Sequence, residues 1–318
     1  MNLRTNNYLI SIVIPVYNGE KSISRLVEDL IRKLTPEFNI EIILVNDCSP
    51  DNSEKVCISI FEKHRHIVKF YSLAKNVGEH NAVMAGLNNV SGDYVIIMDD
   101  DFQNPVSQVV KLISYAIQNS YDVVYTYYDK KKHSFFRNLG SHFNNLVANL
   151  MLKKPKDLYL SSFKILNRFL INEIIKYNLP FPYIDGLILR TTSNIGKINV
   201  KHQERKFGKS NYTFKKLILL WLNMLTNFSI LPLRISIIIG FIFSLFGFIL
   251  GIQALVEKII NPDIPIGYTS LIVIVSIFSG IQLIAIGMVG EYLGRVFLSQ
   301  NKKPQYSIRK KFEVSQDG

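Results

Sequence analysis

Short runs of apolar, β-branched residues alternate, through the first hundred residues, with segments whose apolar positions recur every three or four residues. The first run, Ser11-Ile-Val-Ile-Pro-Val-Tyr17, reads as a buried parallel strand that ends in an Asn18-Gly19 turn. Ile23, Leu26, Val27, Leu30, Ile31 and Leu34 then trace one face of a helix, and Pro36 closes it. A second strand over 41–45 runs into the polar loop 46–52. A helix over 53–64, a strand over 68–73, a helix over 81–87 and a strand over 94–98 follow, the last stopping at three consecutive acids. Residues 122–125 read as one more strand. Strands alternating with helices of this length predict an α/β domain with a mainly parallel sheet, whose ligands bind at the carboxyl ends of the strands.

The pattern changes further along. Residues 130–151 mix basic and aromatic side chains at helical spacing, which suits a helix on a membrane surface and equally one packed on the sheet. The windows 235–256 and 264–290 contain no charged residue and no polar stripe, and each is long enough for the ~20 residues of helix that cross a bilayer. The expected organisation is a domain over 1–230 with juxtamembrane helices, two transmembrane helices within 231–295 (about 235–256 and 267–290), and a basic tail over 296–318. The apolar run before Pro15 is too short for a signal peptide, so the first domain is expected in the cytoplasm. Arg234 precedes the first span, and Arg295, Lys302, Lys303, Arg309, Lys310 and Lys311 follow the second. Both termini are therefore expected on the cytoplasmic side of the inner membrane.

The formal net charge is +12. Seven of the basic residues (Lys197, Lys201, Arg205, Lys206, Lys209, Lys215 and Lys216) crowd ahead of the first span, a placement that suits membrane lipid or a lipid phosphate better than nucleic acid. Cys48 and Cys57 stand in a domain expected to be cytosolic, so no disulfide is expected. No Cys/His metal spacing occurs, and the six histidines form no pattern.

Three polar clusters fall at strand ends: 15–20, 46–51 and 99–103. A hard cation, Mg2+ or Mn2+, takes carboxylate and amide oxygens, and Asp99, Asp101 and Gln103 offer them. Asp-x-Asp alone often marks a turn or a helix cap. Three adjacent carboxylates directly after a buried strand repel one another unless a cation relieves them, which favours a metal site. The Gly-rich loop of a dinucleotide-binding domain is missing after the first strand, as is a phosphate loop of the GKS/T type. A nucleotide would thus be held by metal and side chains, as nucleotide sugars are.

With these motifs the chain resembles family 2 of the inverting glycosyltransferases, in its polyisoprenyl-phosphate branch. The likeness runs nearly end to end through Ile-Pro-Val-Tyr-Asn, Asn76-x-Gly78-x-His80-x-Ala82-x-Met84-Ala85-Gly86, Asp99-x-Asp101-x-Gln103-Asn104-Pro105, Glu204-Arg205-x-Phe207-Gly208-x-Ser210-x-Tyr212, Pro232-Leu233-Arg234 and Gly290-Glu291-Tyr292-Leu293-Gly294-Arg295. The resemblance implies a GT-A type nucleotide-sugar-binding domain followed by two transmembrane helices. It implies nucleotide contacts from Pro15, Tyr17, Glu20, Asp47, Asn76, Gly78, Asp99 and Asp100, with Asp100 near the diphosphate. It also implies a metal held by Asp99, Asp101 and Gln103, catalytic roles for Asp101, Arg205 and Ser210, and an acceptor phosphate met by Lys164 and Arg168. Members of the branch often assemble through their membrane helices, which implies a homo-oligomer. Five positions depart from the family pattern: Asn46 and Cys48 in an Asp-Asp-Gly-Ser loop, Lys75 for Arg, Lys164 for Arg, and Asn211 for Lys.

The reaction so implied is displacement at the anomeric carbon of a nucleotide sugar by a polyprenyl phosphate, giving a lipid-linked monosaccharide for the cell envelope. That phosphate is anionic at pH 7, so no general base is required, and Asp185 is expected to be structural. Two other readings stay open at this point: a catalytically inactive membrane-tethered protein that binds nucleotide sugar or acts as a scaffold, and a processive polysaccharide synthase. Two spans and no Gln-x-x-Arg-Trp segment count against the latter.

Overall fold

A computed structural model describes residues 8–128, 155, 158–201, 231–261, 267–301 and 304–314. The chain divides into two units, residues 1–213 with 303–318, and residues 214–302.

The first unit is built on one eight-stranded sheet. In chain order its strands are β1 (Leu9–Val16), β2 (Asn39–Asn46), β3 (Val68–Leu73), β4 (Tyr94–Ile97), β5 (Val123–Tyr127), β6 (Lys164–Asn167), β7 (Ile195–Asn199) and β8 (Ile308–Phe312). Its helices are α1 (Ile23–Leu34), α2 (Ser53–Lys63), α3 (Glu79–Leu87), α4 (Val106–Asn119), α5 (Arg168–Ile174) and α6 (Ile184–Thr191). The strands lie side by side in the order β7-β5-β6-β4-β1-β2-β3-β8. β6 runs antiparallel to β4 and β5, and β8 antiparallel to β3; the remaining pairs are parallel.

β1 shows why an unbroken apolar run becomes a central strand, since both of its faces must be covered. Ile10, Ile12, Ile14 and Val16 join one core with α1, α2 and α4. Val13 faces the opposite way, against α3, which approaches so closely that a Cβ on Gly86 would lie 2.4 Å from Val13 Cγ1. In α1 the expected face is the buried one: Ile23, Leu26, Val27, Leu30 and Leu34 are fully covered. The expected strands and helices from β1 to β5 form with ends shifted by a few residues. α4 is an addition to the expected elements, although Val109, Leu112, Ile113 and Ala116 give it a buried stripe at helical spacing.

At the amino ends of the strands, Glu41 is buried and accepts from Ser11 Oγ, from the Ser91 N–H and from the Gly92 N–H, while pairing with Lys69 at 2.8 Å. Burial works to raise its pKa, but the bonds from Lys69, Ser11 and Ser91 outweigh it and hold the carboxyl below the ordinary value of 4.5. A carboxyl depressed in the native state contributes stability above its unfolded pKa and loses it as pH falls through the native one. Glu41→Gln is accordingly expected to lower stability by about 1–3 kcal/mol at neutral pH. Thermal unfolding should show the gap to wild type closing as pH drops below 4.5.

The basic tail is the main departure from the expected organisation, because its residues Ile308–Phe312 form the edge strand of the eight-stranded sheet. Phe312 packs between Phe61 and Phe70, with ring centroids 5.7 and 5.6 Å away, and Arg309, Lys310 and Lys311 remain exposed. Charged side chains on an edge strand discourage further pairing. The stretch 130–151 lies outside the described residues.

The second unit contains α7 (Leu231–Ile260) and α8 (Tyr268–Gln300). Both are long and apolar enough to cross a membrane, over Leu233–Gln253 and Ile277–Gln300. Ile237, Phe241, Leu283 and Ile284 are each about 65–71% exposed, so these helices present apolar surface outward. At 1.5 Å per residue α8 is about 50 Å long, longer than a ~30 Å hydrocarbon core. Glu291 and Arg295 fall within the Ile277–Gln300 stretch.

Candidate active site

The loops after β1, β2, β3 and β4 leave neighbouring strands at the same end of the sheet. Hydrogen bonds fasten the first to the second. The Asn18 N–H donates to Ser49 Oγ at 2.7 Å, the Gly19 N–H to Ser53 Oγ at 2.9 Å and the Glu20 N–H to Asp51 Oδ2 at 3.2 Å. Glu20 in turn accepts from the backbone and side-chain amides of Asn52. Asp47 ties in the third loop by accepting the Val77 and Gly78 N–H groups at 2.7 and 2.9 Å. Burial pushes its carboxyl above the usual range, against the pull of those two bonds. Gly78 precedes α3 with φ 89°, a conformation that side chains disfavour.

Asn18, Cys48 and Phe102, in the loops after β1, β2 and β4, also hold left-handed backbones, with φ 59, 51 and 61°. Such a conformation costs about 1–2 kcal/mol outside glycine, less for Asn, and survives where the surroundings enforce it. The network just described is that enforcement for the first two.

The three acids fan out from the end of β4. Asp99 accepts from Ser162 Oγ at 2.7 Å, and Asp101, 6% exposed, accepts the Gln103 N–H at 3.0 Å. Asp100 turns toward the loop after β1, where a Cβ on Gly19 would sit 2.1 Å from its Oδ2; glycine there makes room for the acid. Among the described residues no three His, Cys, Asp or Glu side chains form a cage for a metal. The donor set still fits Mg2+ or Mn2+ of the kind that accompanies a diphosphate, because such a cation takes one or two protein carboxylates and fills its other positions with phosphate oxygens and water.

Beside the acids, Lys164 opens β6 opposite Ile97. Its buried ammonium pairs with Asp185 and lies 5.1 Å from the centre of the Tyr125 ring. Tyr125 donates its hydroxyl to the same Asp185 oxygen at 2.8 Å; burial, joined by that carboxylate's charge, pushes the phenol far up its range. His80 packs edge-on against Tyr183 at 5.1 Å. Burial lowers its pKa to about 4, with the Asp185 charge opposing and the Lys164 charge adding, so the imidazole is neutral at pH 7.

Pro15, Tyr17, Glu20, Asp47, Asn76, Gly78, Asp99, Asp100, Asp101, Gln103 and Lys164 thus stand at one end of the sheet. Arg168 does not. It follows Asn167, which pairs with Tyr94 at the start of β4, and its guanidinium donates to the carbonyls of Val90 and Gly92. Because β6 runs antiparallel to β4, the positions from 164 to 168 carry the chain from the acidic end to the opposite one, and Arg168 stands away from the acids and Lys164. Arg205 and Ser210 lie outside the described residues. Ser162 and Tyr125 carry no signal in the sequence; nothing short of the β4–β6–β5 pairing brings them to Asp99 and Asp185.

Glycosyl transferase family 2 matches residues 11–181. Undecaprenyl-phosphate 4-deoxy-4-formamido-L-arabinose transferase of Photorhabdus laumondii is 33% identical over 95% of this chain and 93% of its own length. The protein of that name from Yersinia enterocolitica is 34% identical over the same shares. Among solved structures, Mycobacterium tuberculosis glucosyl-3-phosphoglycerate synthase is similar with a TM-score of 0.52 at 17% identity, covering 69% of this chain and 78% of that one. The same enzyme in complex with Mn2+, UDP and glucosyl-3-phosphoglycerate gives 0.51 at 18% identity, with the same coverage. These low identities establish the fold alone, an α/β fold of GT-A type.

Proposed function

The chain belongs to glycosyl transferase family 2, and on that premise we propose that it transfers a sugar, with inversion, from a nucleotide sugar to undecaprenyl phosphate. The product is a lipid-linked monosaccharide for lipopolysaccharide or other cell-envelope glycans. The observation that carries the reading is the position of Asp99, Asp100 and Asp101 at the end of β4, between Ser162 and the Gly19 loop. The acceptor comes from the relatives' names.

In this reading the nucleoside lies along the interlocked loops after β1 and β2, where Pro15, Tyr17, Glu20 and Asp47 stand, and Asn76 and Gly78 border it. Asp99 and Asp101, with Gln103, would hold Mg2+ or Mn2+, which would supply positive charge to the leaving diphosphate. A phosphate oxygen of the acceptor attacks the anomeric carbon while the nucleoside diphosphate departs. The acceptor's second pKa is ~6, so it arrives ionised and needs no base. Asp185, committed to Lys164 and Tyr125, is accordingly given no proton to carry. Lys164 receives the acceptor phosphate while keeping its bond to Asp185, since an ammonium has three donors. Arg205 and Ser210 retain their proposed place over the pyrophosphate.

α7 and α8 anchor the enzyme in the inner membrane, catalytic unit and both termini in the cytoplasm. The shared sheet supports this arrangement: β8 follows the two helices in the chain yet pairs with β3, which precedes them, so the number of crossings between them is even. The basic flanks support the cytoplasmic side.

The test is to incubate membranes containing the full chain with undecaprenyl phosphate, Mg2+ and a panel of nucleotide sugars, and to weigh the lipid product. One donor should yield a lipid heavier by a single glycosyl residue. If none does, and Asp101→Ala matches wild type in cells, the protein is an inactive tether.

A further inference from the structure

Two routes of hydrogen bonds lead from the segment after α8 to the nucleotide loops. The first is backbone: the Ala74 N–H donates to the Ser307 carbonyl at 2.8 Å, and Arg309 Nη2 donates to the Ala74 carbonyl at 3.3 Å. Ala74 begins the stretch whose Val77 and Gly78 amides bind Asp47. The second is a relay of side chains. Lys310 Nζ donates to Glu54 Oε1 at 2.6 Å, and Glu54 Oε2 accepts from Ser72 Oγ at 2.7 Å. Ser72 Oγ accepts from Asn46 Nδ2 at 3.2 Å. Asn46 Oδ1 accepts the Ser49 N–H at 3.2 Å, and Ser49 Oγ accepts the Asn18 N–H at 2.7 Å. The routes converge on Asn46 and Asp47.

Proton bookkeeping fixes the direction of the relay. Ser72 has one hydroxyl proton and gives it to Glu54, so its neighbour at 46 must be a donor. Asn46 supplies an N–H to Ser72 and a carbonyl to Ser49; an aspartate supplies only acceptors. Asn46 and Ser72 are each 1% exposed, so a broken link there is not repaired by solvent. Lys310 anchors the outer end: its hydrogen bond is foremost in holding the Glu54 carboxyl below its ordinary range, and keeps it the acceptor that Ser72 requires.

We propose that Lys310, on the strand following the membrane helices, is a positioning residue for the nucleotide pocket, acting through Glu54, Ser72 and Asn46 on the loops that carry Cys48 and Asn18. The inference rests on the nucleotide-site reading above, and the test separates the two. Cys48 is exposed and Cys57 buried, and burial pushes the Cys57 thiol far up, so N-ethylmaleimide reports on Cys48 alone. The full chain is alkylated in detergent with Mg2+ and rising UDP, GDP or CDP. One nucleotide should shield Cys48 in wild type. Lys310→Ala should then need about three- to fivefold more of it, the most that an exposed ion pair commonly contributes. Lys310→Arg should restore shielding. Lys311→Ala, whose partner is Glu313, should leave it unchanged.

The relay has its own signature. Asn46→Asp should weaken shielding more than Lys310→Ala does. Adding Glu54→Gln should recover it, because the introduced amide can donate to Ser72 while Ser72 turns its hydroxyl proton toward the introduced carboxylate. Equal shielding in wild type and Lys310→Ala overturns the inference, as does equal weakening by Lys310→Ala and Lys311→Ala, or no recovery in the double variant. If no nucleotide shields wild-type Cys48, the nucleotide-site reading itself fails.

Discussion

Asp101→Asn is expected to leave the sheet intact and to lower kcat by about a hundredfold to a thousandfold, the usual cost of losing one electrostatic contact to charge that builds in the transition state. The substitution is nearly isosteric. Its retained oxygen still accepts the Gln103 N–H, so the turn after β4 is expected to persist, while the charge and one acceptor oxygen give way to a neutral amide NH2. Asp101 is 6% exposed, which leaves little solvent to substitute for that charge. The comparison is single-turnover release of nucleoside diphosphate by wild type and variant in the same membranes, beside their thermal midpoints. A variant that unfolds with wild type yet keeps more than about a tenth of its rate would remove Asp101 from the chemistry.

The second large effect is on stability. Asp185→Asn keeps an acceptor for the Tyr125 hydroxyl but leaves the Lys164 ammonium buried without its carboxylate. Removing one partner of a buried ion pair costs about 3–5 kcal/mol, most of it the penalty of the stranded charge. Lys164→Met added to Asp185→Asn withdraws that charge and should recover most of the loss, because a neutral pair of similar volume is tolerated there. Thermal unfolding of the full chain in detergent reads both variants. The double variant should regain stability and still transfer sugar poorly, since the cation proposed to meet the acceptor phosphate is gone. If Asp185→Asn alone unfolds with wild type, the pair carries no structural weight and Asp185 must be considered as an acid or base.

The contrast between these two sites shows what the sequence discloses. Asp101 is legible because a buried parallel strand is a continuous apolar run, so the first polar residues after Tyr94-Val-Ile-Ile must lie at a ligand-binding sheet end. The same logic delivers the clusters 15–20 and 46–51, and the family resemblance singles out Pro15, Tyr17, Glu20 and Asp47 within them. Lys164 is visible through the family resemblance, but its partners are not, because Lys164-Ile-Leu-Asn is a four-residue strand whose direction is set only by pairing with β4. Arg168 is misplaced for that reason: four positions look adjacent in sequence and span a whole strand in space. Ile308-Arg-Lys-Lys-Phe312 carries three charges in five residues and reads as a solvated tail; only the aromatic stack of Phe312 on Phe70 and the open edge of β3 make it a strand. The left-handed backbones at Cys48 and Phe102 have no signal of their own, since neither residue favours that conformation.

The edge strand also changes how the protein can be divided. Residues 214–302 interrupt a sheet whose last strand lies beyond them, so the helical unit is an insertion and not an appendix. Cutting the chain ahead of α7 would bare the backbone of β3 along Phe70–Leu73 and uncover Phe61 and Phe70, inviting aggregation. A water-soluble enzyme is better sought by excision: removing 214–302 and joining the two flanks through a flexible linker keeps Ile308–Phe312 in cis with the sheet it completes.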